Sequence, residues 1–140
     1  MKEKLVKDWM TRQVITISPD TPLTEAHRLM AEKQIRRLPI MKNSDLVGIV
    51  TRGDVREAEP SSASSLTIWE MNYLLAKLKV KQVMSRNAIT ISHNATIAKA
   101  AKLMMDHKIS GLPVVNDSNK VVGIITESDI FRMVVQGWSR

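Results

Sequence analysis

The chain contains no cysteine, which excludes disulfides, thiolate metal sites and cysteine nucleophiles together. That fits a reducing compartment, and the cytoplasm is the expected location. Aromatic residues make up only 4% of the chain, leaving little from which to build the stacking platforms that read single-stranded nucleic acid. Long apolar runs are missing too, and none approaches the roughly 20 residues that cross a bilayer. The opening Met1-Lys2-Glu3-Lys4-Leu5-Val6-Lys7 lacks the uninterrupted apolar core of a signal peptide. There is no P-loop, no G-x-G-x-x-G and no Ser/His/Asp setting. His27, His93 and His107 have no second histidine or carboxylate at metal-ligand spacing. No catalytic constellation is visible, so the chain is not expected to be an enzyme.

What is present is a basic, globular composition. Hydrophobic residues make up 44% of the 140 residues and the formal charge is +7. The length suits one ordinary domain, or two small halves sharing a core. The charge favours anionic partners, whether nucleotides, nucleic acid or an acidic protein surface. Because the Lys and Arg residues are spread along the chain and aromatics are few, a polynucleotide is the weaker of these readings.

The chain repeats itself. Residues 6–56 realign with residues 80–131: Val6-Lys7 with Val80-Lys81, Met10 with Met84, and Ile15-Thr16-Ile17-Ser18 with Ile89-Thr90-Ile91-Ser92. Ala26, Leu29 and Met30 meet Ala100, Leu103 and Met104, and Leu38-Pro39 meets Leu112-Pro113. After one extra residue in the second copy, Gly48-Ile49-Val50-Thr51-Arg52-Gly53-Asp54 meets Gly123-Ile124-Ile125-Thr126-Glu127-Ser128-Asp129. Ordered matching over that span marks two copies of one structural unit.

Each copy predicts strand–helix–strand–strand–helix. Alternation over Val14–Ile17 and Ala88–Ile91 reads as a first strand. In the turn that follows, Thr21 is the expected N-cap and Pro22 the first helical residue. Leu23, Ala26, Leu29 and Met30 recur at helical spacing, as do Ile97, Ala100, Leu103 and Met104. Two strands are expected at 38–41 and 46–50, and again at 112–115 and 121–125, each pair joined by a polar turn. Between the copies, residues 57–65 read as a flexible polar linker. It leads into Thr67-Ile68-Trp69-Glu70, a capping box opening a further helix. The apolar stripe of that helix (Ile68, Met71, Leu74, Leu75, Leu78) is expected to dock on the repeats. The resulting boundaries are repeat 1 over 1–58, linker and connecting helix over 59–79, and repeat 2 over 80–140.

Gly48-x-x-Thr51-x-x-Asp54 and Gly123-x-x-Thr126-x-x-Asp129 each end a strand and open a helix. Two explanations apply. Thr and Asp can close a capping box on the helix, though with a shorter acid than usual. Alternatively, the helix N-terminus suits a phosphate, and the neighbouring carboxylate suits both hydroxyls of a ribose.

This order, with Arg37-Leu38-Pro39-Ile40 and Gly111-Leu112-Pro113-Val114 followed by the two Gly-x-x-Thr-x-x-Asp segments, resembles the cystathionine-beta-synthase-type (CBS) domain in tandem. The likeness extends over nearly the whole chain. It implies an α+β fold in which two βαββα repeats pack through their sheets with pseudo-two-fold symmetry, in modules that commonly pair into flat discs. It also implies adenosine-containing ligands between the repeats, with AMP, ADP or ATP foremost. By the same resemblance Thr51 and Thr126 would contact phosphate, and Asp54 and Asp129 would hold ribose. Ile15, Thr16, Leu38, Pro39 and Ile40, and in the second copy Ile89, Thr90, Leu112, Pro113 and Val114, would border the adenine, although core packing explains the apolar ones equally.

Arg36 and Arg37 face Ser110 and Gly111 across the repeats. The arginines are candidate phosphate contacts, or simply solvated side chains. The expected function is therefore a regulatory adenine-nucleotide module acting on an unidentified effector protein. Nucleic-acid binding, or a structural dimeric adaptor with vestigial sites, stands as the alternative. A homodimer is expected through the Met- and Leu-bearing helices at 22–33 and 96–107.

Overall fold

The structure, a computed structural model, describes residues 4–59 and 65–138. In chain order the elements are α1 (Val6–Trp9), α2 (Leu23–Lys33), β1 (Arg37–Lys42), β2 (Asp45–Thr51), α3 (Arg52–Ala58) and α4 (Ile68–Lys77). After a 3-10 turn at Val80–Gln82 come β3 (Ile91–Ser92), α5 (Ile97–His107), β4 (Gly111–Val115), β5 (Val121–Thr126) and α6 (Glu127–Trp138). The linker expected at 57–65 lies at its centre, 60–64, outside the described residues.

The chain forms two compact units, and these do not follow the sequence repeats. One unit is Ile15–Ala88; the other joins Met1–Val14 to Ile89–Arg140. Each repeat thus gives up its leading segment: residues 80–88 complete the unit of the first repeat, and the N-terminal segment completes that of the second.

In the unit of residues 15–88, β1 and β2 form an antiparallel hairpin that pairs Arg37 with Thr51, Leu38 with Val50 and Ile40 with Gly48. The turn needs only Asn43 and Ser44, at φ 52° and 71°, the left-handed pair that matches the twist of a two-residue hairpin. The expected strand at Val14–Ile17 is reduced to one parallel bridge, Ile17 to Ile40. Ile17 N–H donates to the Pro39 carbonyl at 3.1 Å, and its own carbonyl accepts from Met41 N–H at 2.8 Å. Alternation predicted the extended backbone here, but the pairing stops at this single bridge.

Pro22 is the N-cap of α2 and Leu23 its first residue, a correction to the expected start. The Thr21 hydroxyl is used one step earlier, accepting from Ser18 N–H at 3.1 Å. Leu23, Ala26 and Met30 turn inward onto Leu38, Ile40 and Val50. Val80 enters the same core, with its N–H donating to the Thr21 carbonyl at 2.9 Å. Leu75 of α4 and Leu78 at its C-cap pack on this core, whereas Ile68 and Leu74 stay exposed. Two of the five stripe residues dock, because a helix lying on a single surface buries only a narrow arc.

The other unit repeats the plan. Here β3 pairs parallel with β4, and β4 antiparallel with β5. Val6 and Met10 join Ile91, Ile97, Ala100, Met104, Leu112, Val114 and Ile125 in one core. Thr96 caps α5 by accepting from Lys99 N–H at 3.1 Å. Both α2 and α5 end in a left-handed residue, Gln34 and Lys108, each at φ 54°. The following Ile35 and Ile109 N–H groups reach back to Met30 and Met104 carbonyls at 3.0 Å, which closes a Schellman-type cap.

Two carboxylates at strand-to-helix junctions

The Thr-x-x-Asp segments form the capping boxes that their spacing allows. Thr51 N–H donates to Asp54 Oδ2 at 2.8 Å, and Asp54 N–H donates to Thr51 Oγ1 at 3.1 Å. In the second copy Thr126 N–H reaches Asp129 Oδ2 at 2.9 Å, and Asp129 N–H reaches Thr126 Oγ1 at 3.4 Å. The strand carries Thr to its last position and the Asp closes the first turn, so both side chains stand at one corner.

The helix N-terminus is less open than its position suggests. Arg52 N–H is taken by the Arg36 carbonyl at 2.8 Å, and Glu127 N–H by the Ser110 carbonyl at 3.0 Å. With the Thr and Asp amides committed to the box, little of the free N–H array that binds anions at helix ends remains. A phosphate here would depend on hydroxyl and cationic side chains.

The remaining expected residues assemble around these corners in different degrees. Ile17's bridge to Ile40 brings Ile15 and the exposed Thr16 alongside β1. Ile91 pairs with Val114, which places Ile89 and Thr90, both half-buried, beside β4. Arg37 lies opposite Thr51, and Gly111 opposite Thr126. Leu38, Pro39, Ile40, Leu112, Pro113 and Val114 are fully buried, main chain as well as side chain. A cavity of about 260 Å³ in the unit of residues 15–88 is lined by Leu23, Thr24, His27, Val55, Glu59, Asn72 and Leu75. It includes none of the expected site residues.

Three residues near Asp129 were not foreseen. The Thr11 hydroxyl lies 3.5 Å from Asp129 Oδ1, and Arg132 Nη2 lies 3.4 Å from the same oxygen. Arg132 also donates to the Trp9 carbonyl at 2.9 Å and sits 5.2 Å from the centre of the Trp9 ring. Trp9 and Thr11 come from the segment that leaves the first repeat, so aligning the repeats gave no sign of them.

The comparisons agree with this architecture. The CBS domain family matches residues 6–61 and 80–136. A CBS domain-containing protein of Dictyostelium discoideum is 32% identical over 133 residues, 94% of this chain and 92% of its own length. An inosine-5'-monophosphate dehydrogenase of Korarchaeum cryptofilum is 38% identical over 128 residues, 91% of this chain but 24% of that protein. The chain thus spans only a fraction of several of its curated relatives. Among solved structures, the CBS domain pair of protein MJ0100, in complex with 5'-methylthioadenosine and S-adenosyl-L-methionine, has a TM-score of 0.80 at 31% identity, covering 97% of this chain and 99% of that one. CBSX2 in complex with AMP gives 0.77 at 27%, covering 95% and 97%. With the family matched twice along the chain, and the repeats folded as mixed α+β units, this protein belongs to the CBS domain family as a tandem CBS pair.

Proposed function

We propose that this CBS pair is a regulatory module that binds an adenosine-containing ligand, of the AMP, ADP or ATP class, and signals its presence to an effector protein. The observation that carries the reading is Asp54. One of its oxygens closes the box with Thr51, and among the described residues no donor occupies the other. Among the described residues that leaves one carboxylate oxygen to accept from a ribose diol, beside the hydroxyl of Thr51, the residue that Arg37 pairs with across the hairpin. The complexes of MJ0100 and CBSX2 with adenosine compounds support the same ligand class. The task proposed is binding, with no bond made or broken. The cysteine-free composition supports a cytoplasmic setting. Among the described residues no helix is long and apolar enough to cross a membrane.

A thermal-shift panel of adenosine compounds followed by calorimetry tests this. Ligand at about 100 times its dissociation constant adds ~2.7 kcal/mol of stability. Asp54→Asn keeps an oxygen for the cap but removes the charge. It should cost roughly 1.5–3 kcal/mol at that site, the worth of hydrogen bonds to a charged group. If no adenosine compound raises the melting temperature, the structural-adaptor reading takes its place.

A further inference from the structure

The two carboxylates are not equivalent acceptors. An ionised carboxylate offers about four lone-pair positions. At Asp129 all are spoken for: Oδ2 takes Thr126 N–H at 2.9 Å and the Thr126 hydroxyl at 3.1 Å. Oδ1 faces Arg132 at 3.4 Å and the Thr11 hydroxyl at 3.5 Å. At Asp54, Oδ2 takes Thr51 N–H, and among the described residues Oδ1 has no donor. Asp129 is also the buried one, the single charged residue in the core of the described chain.

The difference traces to two substitutions between the repeats. Arg132 aligns with Glu57, and Thr11 with Ser85. A glutamate at position 57 repels a carboxylate where an arginine would engage it. Arg132 is held from behind by the Trp9 carbonyl at 2.9 Å and by the Trp9 ring. Its position over Asp129 is therefore fixed by the N-terminal segment, which Thr11 ties to β5 through Ile124.

We propose that Thr11 and Arg132 form a latch over Asp129 which a ribose must open, so that Asp54 is the stronger adenosine site and Asp129 the weaker, regulated one. The proposal rests on the adenosine reading above and adds which site fills first and what restrains the other. The Oδ1 contacts are long, so the latch is loose enough for a ligand to displace it. Opening it would release Arg132 from Asp129 and loosen the N-terminal segment. Filling the weaker site would in this way be coupled to the order of residues 5–11.

The test uses AMP calorimetry on full-length single-site proteins. Asparagine at either position retains a carbonyl oxygen for the threonine N–H, so the cap and the fold survive. Asp129→Asn, which keeps the Asp54 site, should bind AMP more tightly than Asp54→Asn. Adding Arg132→Gln to Asp54→Asn should tighten AMP binding by roughly 2- to 5-fold, the scale of a half-exposed ion pair. Unchanged or weakened binding on that addition overturns the latch and makes Arg132 either a bystander or a ligand contact. If the unsubstituted protein binds neither AMP nor ADP nor ATP, the adenosine reading fails, and the latch is judged without ligand. Arg132→Gln should then speed amide exchange several-fold at Thr11 and Ile124, but not at the equivalent pair Ile49 and Ser85. Equal exchange at both pairs overturns it.

Discussion

Thr11 and Ile124 exchange both of their backbone hydrogen bonds, at 2.8 and 2.9 Å. Ser85 and Ile49 do the same in the other unit, at 2.9 and 3.0 Å. In each case the incoming segment crosses the last strand next to a glycine. A Cβ on Gly123 would stand 2.7 Å from Met10 Sδ and 2.8 Å from the Thr11 carbonyl; on Gly48 it would meet Met84 Sδ and the Ser85 carbonyl at the same distances. The glycine of each Gly-x-x-Thr-x-x-Asp segment is therefore needed for close approach of backbone to backbone.

Gly48→Ala and Gly123→Ala should each destabilise the protein by about 1–3 kcal/mol, the usual cost of overpacking a filled site. Gly137→Ala is the control, since a Cβ there meets nothing within 4 Å. In a helix it should stabilise by at most ~1 kcal/mol, and by less this close to the end. Urea midpoints measure all three. If the first two match Gly137→Ala, the crossing is not tightly packed.

Because Met10 packs in the core of the unit that contains residues 89–138, the leading segment of the first repeat should stabilise the second. Met10→Ala should cost on the order of 2–5 kcal/mol. Hydrogen exchange should show the loss in β4, β5 and α5, with β1, β2 and α2 retaining more of their protection. A loss confined to β1 and β2 would contradict the exchange of segments.

Much of this architecture was legible beforehand. The repeat, both hairpins, and the capping boxes at Thr51–Asp54 and Thr67–Glu70 follow from local patterns that depend on neighbours a few residues away. The exchange of segments was not legible, since Val6 and Val80 align as equivalents in either arrangement and only the folded path shows which core each enters. The start of α2 was misplaced because Pro22 suits the N-cap and the first helical position alike. The site was legible as residue types and opaque as geometry: the box at Asp129 could be read, whereas of the donors on its second oxygen Thr11 comes from over 100 positions away and Arg132 is held in place by the equally distant Trp9.

Asp20 anchors the chain that returns after α4. Its carboxylate lies 3.0 Å from Lys81 Nζ and 3.7 Å from Lys79 Nζ. The hydrogen bond and charge of Lys81, with the charge of Lys79, hold its carboxyl below the usual carboxylate range. A lowered folded-state pKa contributes stability above the unfolded value, near 4, and loses it as the pH falls through the folded value. Asp20→Asn should therefore melt slightly lower than the parent at pH 6–7, with the gap closing at acid pH and in ~1 M salt. A gap independent of pH would assign Asp20 to turn geometry instead of charge.

The expected dimer helices turn their stripes inward: Met30 and Met104 are buried in their own units. The outward apolar face lies elsewhere, on α6. Phe131, Val134, Val135 and Trp138 recur there at i, i+3, i+4 and i+7, with Phe131 63%, Val135 62% and Trp138 87% exposed. Met105 on α5, 77% exposed, is in the same unit. A single aromatic side chain carries ~150–250 Å², so this face offers on the order of 600 Å². That approaches the ~800 Å² per partner of a standard interface. It also lies in a chain whose few aromatics are mostly exposed, a composition typical of interface cores. A second copy placed across α6 would cover it, since one patch can serve both sides of a two-fold contact. Light scattering at micromolar concentration should give about twice the 15.8 kDa chain mass. Phe131→Glu combined with Val135→Glu should return the single-chain mass, because two buried like charges would face their copies across the contact. A dimer that survives both glutamates places the interface on another face, and a parent protein that is monomeric at that concentration leaves α6 for a different partner.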